Sequence, residues 1–265
     1  VVTNLGVVHL ETFGTTETLA DAKYELVELL GTGGTAILPA DEPRLERTGT
    51  PATVTFGTDE GVIAVSDVVL DPRGFPSFRI SIDGVERSCT LSMAGAHQAR
   101  NAAAAVGVAR VLGLDIDDFI TRMSAATGSA WRMDIHHGTF TVVNDAYNAN
   151  PQSVASALRT VSHMDGGKTI AVLGPMAELG SVTEAQHAAM GRLAASLDID
   201  ALIVVGHDLG YGIGAPDLVR NAMDLQEAAD TLHAILEPGD VVLVKASRSA
   251  GLERLAIDLI EEATA

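Results

Sequence analysis

Val142–Ser153 reads VVNDAYNANPQS. An apolar strand ends on Asp145, a polar loop follows, and the helix VASALRTV opens behind Pro151. Proline suits that place: its fixed φ matches the first helical turn, and its missing N–H has no helical partner to lose. In α/β sheets, ligands gather where the carboxyl end of a strand faces a helix N-terminus. Asp145, Asn148 and Asn150 thus converge on a binding crevice, unless the asparagines serve turn and cap chemistry, the commoner role of an Asn-rich turn before a helix.

The same unit recurs outward from this stretch. TFTVVND, KTIAVLG, ALIVVG and DVVLVKAS are apolar strands, and helices alternate with them near 151–164, 183–197, 225–236 and 250–263. That alternation predicts a doubly wound, mostly parallel, Rossmann-like sheet. Upstream, VVTNLG reads as a buried strand, a helix covers about 15–30, and TAILPADEP is a strand ending on Asp41 and Glu42. From about Ala52 to Met93, short alternating strands predict a small antiparallel sheet appended to the main one. GAHQARNAAAAVGVARVLGL is an Ala-rich helix whose small side chains suit close packing on a sheet. The pattern restarts between Ala125 and Arg132, which divides the chain into 1–128 and 129–265, with a hinge at 126–131.

Seventeen Lys and Arg against 35 Asp and Glu give the 265 residues a net charge of −18. Such a surface repels nucleic acid and anionic membranes. A nucleotide would need local devices: helix N-termini, Mg²⁺ or a few placed cations. No apolar run reaches the length of a membrane span. A single cysteine, Cys89, excludes an internal disulfide and a Cys-based zinc site, and fits a reducing, cytoplasmic setting.

On the first long helix, Leu19, Ala22, Leu26, Leu29 and Leu30 recur at helical spacing, and Lys23 lies within that stripe. Such a lysine either snorkels to the edge or stays desolvated, with a lowered pKa and a nucleophilic amine. His9, after the first strand, is by type alone a core, surface or ligand residue. Arg132, Lys245 and Arg248 are by type alone solvated or helix-cap charges.

DAYNANP at 145–151 resembles, almost letter for letter, a signature of the Mur ligase family, in the branch that adds D-alanyl-D-alanine to UDP-N-acetylmuramoyl tripeptide. NLGVVHLETFGTTETLADAK resembles the family's N-x-x-x-x-H-L-E-x-F-G…A-K stretch. That likeness implies that His9 contacts Mg²⁺ and that Lys23, as a carbamate formed with CO₂, is a second metal-binding group. GAHQARNAAAA resembles G-x-H-N-x-x-N-A, which implies that Gln98 (where Asn is usual) and Asn101 hold the adenine of ATP. Arg132, in AWRMD, together with Asp145 and Asn148, is implied to face the nucleotide. VLGPMAELG resembles V-L-G-D-M-x-E-L-G, with Pro175 for Asp, and VKASR resembles V-K-G-S-R, with Ala246 for Gly. These segments imply a D-alanyl-D-alanine side lined by Asn150, Lys245 and Arg248. Lys23, His9 and Arg132 are the implied catalytic set.

The resemblance implies part of a central ATPase domain with a small β-sheet, followed by a Rossmann-like ligase domain. It implies ATP and Mg²⁺ as cofactors, UDP-MurNAc-tripeptide and D-alanyl-D-alanine as substrates, and a cytoplasmic monomer serving peptidoglycan synthesis. No G-x-x-x-x-G-K-[ST] occurs in the 265 residues. The family's P-loop and UDP-substrate domain precede the HLE stretch, so the expectation is a C-terminal portion inactive alone. One rival reading is a non-catalytic binding module that keeps affinity for D-alanyl-D-alanine or nucleotide without turnover. Another is a different Mur ligase or a folylpolyglutamate synthase relative. DAYNANP argues against that one, because the corresponding loops there usually contain a His.

Overall fold

In the computed structural model, which describes residues 1–6, 10–47, 52–206 and 209–265, the chain divides into two compact units. One is Val1–Asp71 with Phe75–Thr127; the other is Pro72–Gly74 with Gly128–Ala265.

The first unit runs α1 (Leu10–Phe13), α2 (Thr16–Glu28), β1 (Thr35–Pro39), β2 (Ala52–Thr58), β3 (Ile63–Leu70), β4 (Pro76–Ile82), β5 (Val85–Thr90), α3 (His97–Val111) and α4 (Ile116–Ser124). Its described strands form one sheet in the order β1-β2-β3-β4-β5. The first two pairings are parallel and the last two antiparallel. The expected appended antiparallel sheet is therefore corrected: β2 joins the later strands to β1 in one mixed sheet. The link Asp59–Val62 is far shorter than the roughly dozen residues a parallel crossover takes, and the parallel pairing lasts only from Phe56↔Ile63 to Thr58↔Val65. Gly61 permits this tight return, since its φ is +98° and an added Cβ would lie 3.0 Å from Phe56 Cα.

The Ala-rich helix α3 packs Ala99, Ala102, Ala103 and Val106 with Ile37, Val54, Phe56, Ile63, Val65 and Ile80. Close approach is what small side chains allow. A separate cluster joins α2 to β1 through Ala20, Tyr24, Val27, Ala36 and Leu38, with Val2 and Leu5. Two sequence expectations fail here. VVTNLG forms no strand: Val2 N donates to Ile37 O at 3.0 Å, but no ladder follows. The buried face of α2 carries Leu19, Ala20, Tyr24 and Val27, whereas Leu26 and Leu29 are 62% and 81% exposed. Two sets of apolar residues share helical spacing on this helix, and the one holding the large aromatic Tyr24 buries more surface.

The second unit runs β6 (Asp134–His137), β7 (Thr141–Asn144), α5 (Pro151–Val161), β8 (Thr169–Leu173), α6 (Thr183–Ser196), β9 (Ala201–Val205), α7 (Tyr211–Gly214), β10 (Val219–Ala222), α8 (Leu225–His233), β11 (Val241–Lys245) and α9 (Glu253–Thr264). The sheet order is β10-β9-β8-β11-β7-β6, parallel throughout except for β6 against β7. This is the doubly wound α/β fold expected. β9 and β11 are buried at every residue, as central parallel strands are. α8 and α9 pack on the side of Val142, Ile170, Val172, Ile203, Val242 and Val244. The alternate residues Val143, Ala171, Leu202 and Leu243 are equally buried on the other side, that of α5 and α6.

Adjacent strands β7 and β11 thus send their chains to opposite faces, through α5 and α9. That makes a topological switch point, where open α/β sheets hold ligands. No helix of the described residues is long and apolar enough to cross a membrane.

Candidate functional site

Lys245 ends β11 at the switch point and is only 2% exposed. Its Nζ donates to Asp145 Oδ2 at 2.6 Å and to Asn148 O at 2.8 Å. Burial pushes the Lys245 ammonium below its ordinary pKa, and the Asp145 carboxylate opposes that shift. Asp145 also accepts Met133 N–H on Oδ1 at 3.0 Å. Sequence reading aimed Asp145 at a ligand and Lys245 at substrate or solvent. The structure turns both inward, onto each other and onto backbone. The reason is local: each lies at the very end of a central strand, where its head group reaches neighbouring loops before it reaches water.

Asn150 belongs to helix capping. Its Oδ1 accepts Ser153 N–H at 2.9 Å while Ser153 Oγ accepts Asn150 N–H at 3.0 Å, a capping box at the start of α5. The capping box takes up Asn150 Oδ1, and the substrate contact expected of this residue would fall to its Nδ2. Asn148 Oδ1 accepts the next residue's N–H at 2.9 Å, in an exposed turn.

Two cations stand outside this buried layer. The Arg132 guanidinium lies 4.0 Å from the Tyr147 ring centroid, and that of Arg248 lies 4.3 Å from Trp131 and 6.0 Å from Tyr147. Arg248 Nη1 has Glu253 Oε1 4.0 Å away. Arg132 has no carboxylate partner among the described residues, a condition it shares with Arg159, Arg192, Arg220 and Arg254; its place on the Tyr147 ring at the switch point sets it apart. In a chain this acidic, a guanidinium held on an aromatic face is a candidate anion site.

Ser247, which sequence reading passed over inside VKASR, staples three loops. Its N–H donates to Pro175 O at 2.9 Å, its Oγ accepts Ala177 N–H at 2.8 Å, and its hydroxyl reaches Ala149 O at 3.3 Å. Beside it, Gly174 has no room for a side chain: an added Cβ would come within 2.8 Å of Ala246 Cβ. Trp131 and Tyr147 were also missed, although both lie within the quoted AWRMD and DAYNANP segments.

In the first unit, Lys23 occupies the buried face of α2 between Leu19 and Val27, where its Nζ donates to Asn4 O at 2.8 Å and Leu5 O at 3.0 Å. Burial lowers its pKa. It neither snorkels freely nor lies bare. His9 falls outside the described residues. Asn101 Nδ2 donates to Gln98 Oε1 at 3.0 Å on the first turns of α3, so the two amides form one polar pair. Neither His97 nor Gln98 is the helix cap; Ala96 holds that position, without a side-chain bond.

The comparisons with known proteins join both units. The Mur ligase middle domain matches residues 1–109, and the Mur ligase glutamate ligase domain matches 131–248. The chain belongs to the Mur ligase family. Over 296 residues it is 33% identical to the UDP-N-acetylmuramoyl-tripeptide–D-alanyl-D-alanine ligase of Mycobacterium tuberculosis (strain ATCC 25618 / H37Rv), a match covering 100% of the chain and 58% of that protein. The Bacillus subtilis (strain 168) ligase of the same name is 32% identical, with coverages of 98% and 59%. The structure of MurF ligase from Thermotoga maritima in complex with ADP superposes with a TM-score of 0.87 at 26% identity, covering 98% of this chain and 60% of that one. The chain thus spans less than two thirds of these Mur ligases.

Proposed function

We propose that this chain is the ATP-facing and acceptor-facing portion of an ATP-dependent ligase that adds D-alanyl-D-alanine to UDP-MurNAc-tripeptide in peptidoglycan synthesis, in the cytoplasm. The tripeptide carboxylate attacks the γ-phosphate of ATP, releasing ADP, and the amine of D-alanyl-D-alanine then attacks the acyl phosphate, releasing phosphate. The observation that carries the reading is Arg132: its guanidinium is held 4.0 Å from the Tyr147 ring centroid at the switch point. It faces the nucleotide phosphates and offsets their charge as the phosphoryl group moves. Gln98 and Asn101 hold adenine by their paired amides, and Arg248 faces the carboxylate of D-alanyl-D-alanine. Asp145, Asn148, Asn150 and Lys245 act on the loop that carries these contacts, not on the ligands.

Mg²⁺ would be held in this reading by Lys23 as a carbamate, with His9, which lies outside the described residues, as the second group the resemblance implies. A half-buried lysine with a lowered pKa can supply the neutral amine that CO₂ requires, and a carbamate offers the oxygens a hard cation needs. Among the described residues no group of three His, Cys, Asp or Glu stands ready to hold a metal ion, so Lys23, as a carbamate, would be the group of this unit that offers it oxygens. When bound, the ion neutralises phosphate charge.

The test is calorimetric titration of the purified protein with ADP. Arg132→Ala should bind about tenfold more weakly, the scale of one lost charge-assisted contact. Unchanged ADP affinity removes the basis of the reading. The lack of a G-x-x-x-x-G-K-[ST] sequence favours, for these 265 residues taken alone, binding without turnover.

A further inference from the structure

Arg132 sits in an unusual stretch of backbone. Its neighbours Trp131 and Met133 have φ of +63° and +49°, in the left-handed region that bulky side chains avoid. Strain of this kind persists only where the surroundings fix it, and it gathers at functional sites. Arg132 N–H donates within the turn, to Ser129 O at 3.3 Å, and two bonds tie the turn to the loop after β7. Met133 N–H donates to Asp145 Oδ1 at 3.0 Å, and Tyr147 N–H donates to Trp131 O at 3.1 Å. Asp145 in turn is held by Lys245, which also grips Asn148 O.

We propose that Lys245 and Asp145 are positioning residues: Lys245 aims the Asp145 carboxylate at Met133 N–H, which locks the left-handed turn and presents Arg132 on the Tyr147 ring. The inference rests on the reading of Arg132 as an anion contact. A buried ion pair is weak evidence for stability, because desolvation offsets most of its attraction and apolar replacements are often neutral. Geometry is what this pair supplies. One carboxylate oxygen faces the ammonium while the other faces the strained turn. Lys245 spans from the end of β11 to both sides of the loop after β7. The site is therefore set before any ligand arrives, and binding need not bear the cost of ordering the turn.

The experiment uses the purified protein, whose sole tryptophan is Trp131. Acrylamide quenching of its fluorescence reports the turn, and ADP titration reports the anion site. Asp145→Ala and Lys245→Met should each raise the quenching constant about twofold as the turn loosens locally, and weaken ADP about tenfold. Asp145→Asn alone keeps an acceptor for Met133 N–H and one for Lys245, so it should stay near wild type in both readings. The double variant Asp145→Asn with Lys245→Met has lost the group that aims residue 145 and should stay loosened. A double variant at wild-type values in both readings would show that Lys245 positions nothing. A merely structural role would lower the melting temperature and leave quenching of the folded protein unchanged; that result would overturn the proposal. If Asp145→Ala does not fold, Lys245→Met and the double variant decide the question in the same way. Should quenching rise while ADP affinity holds in these variants and in Arg132→Ala alike, the turn is locked as proposed and the anion role of Arg132 is wrong.

Discussion

His187 Nε2 accepts the backbone N–H of Met176 at 3.0 Å, while Nδ1–H donates to Thr183 O at 2.7 Å. The ring is fully buried and meets Tyr211 edge-on at 4.8 Å, and the Tyr211 hydroxyl donates to Gly174 O at 3.0 Å. Two rings from α6 and α7 thus hold the loop after β8 in place. Burial pushes His187 below its ordinary pKa.

This arrangement makes the second unit acid-sensitive. Below about pH 6.5 the unfolded chain takes up a proton on this histidine while the folded chain resists it. The stability contribution is therefore complete above about 6.5 and is lost as pH falls from there toward the lower folded-state value. His187→Leu removes the titration and should flatten the stability difference measured between about pH 7.5 and 5.5 in denaturant melts. It should also cost about 1–3 kcal/mol at the higher pH, because Met176 N–H loses its acceptor. Equal pH slopes for the two proteins would assign the sensitivity to another group.

Asn150→Ala separates capping from substrate contact. Loss of the cap of α5 should cost about 1 kcal/mol, and Asn150→Ser should recover most of it. Affinity for D-alanyl-D-alanine should not change in either variant. A variant that keeps its stability and loses that affinity would assign Asn150 to the substrate instead of the cap.

Turnover gives a third test. The 265 residues alone, given ATP, Mg²⁺, UDP-MurNAc-tripeptide and D-alanyl-D-alanine, should release no phosphate, because the sequence holds no P-loop to cradle the β- and γ-phosphates. Phosphate release near about 1 per second, an ordinary enzyme rate, contradicts this.

Legibility in the sequence followed periodicity and length. The strands at 141–144, 169–173, 201–205 and 241–245 are continuous apolar runs with turn residues on either side, so they could be read directly. β6 (DIHH) and β10 (VRNA) could not. They are short, polar edge strands whose pairing is decided by the strand beside them. The candidate site residues could be named from the sequence, but not the partners each would find. Nothing in DAYNANP says that its aspartate turns inward, because the partner Lys245 lies 100 residues away and is placed only by sheet order. Lys23 was placed on a buried face correctly, yet with the wrong neighbours, since Tyr24 and Val27 offered a competing set at the same spacing.

Lys23 carries the last prediction. Its ammonium donates to the carbonyls of Asn4 and Leu5, and burial lowers its pKa, so the neutral amine is more abundant near pH 8 than for a solvated lysine. Reaction with CO₂ joins the nitrogen to carbon and releases a proton, leaving one N–H, enough for one of the two carbonyls. Protein equilibrated with ¹³C-bicarbonate should therefore show a carbamate resonance that is absent from Lys23→Ala. In a longer protein that includes a P-loop, Lys23→Ala should lower kcat by about two orders of magnitude, the scale of losing a group that acts on transition-state charge. Added short carboxylates should return part of that loss. A strut between α2 and the Asn4–Leu5 segment behaves otherwise: Lys23→Ala then lowers the melting temperature, gives no carboxylate rescue, and the wild type shows no carbamate signal.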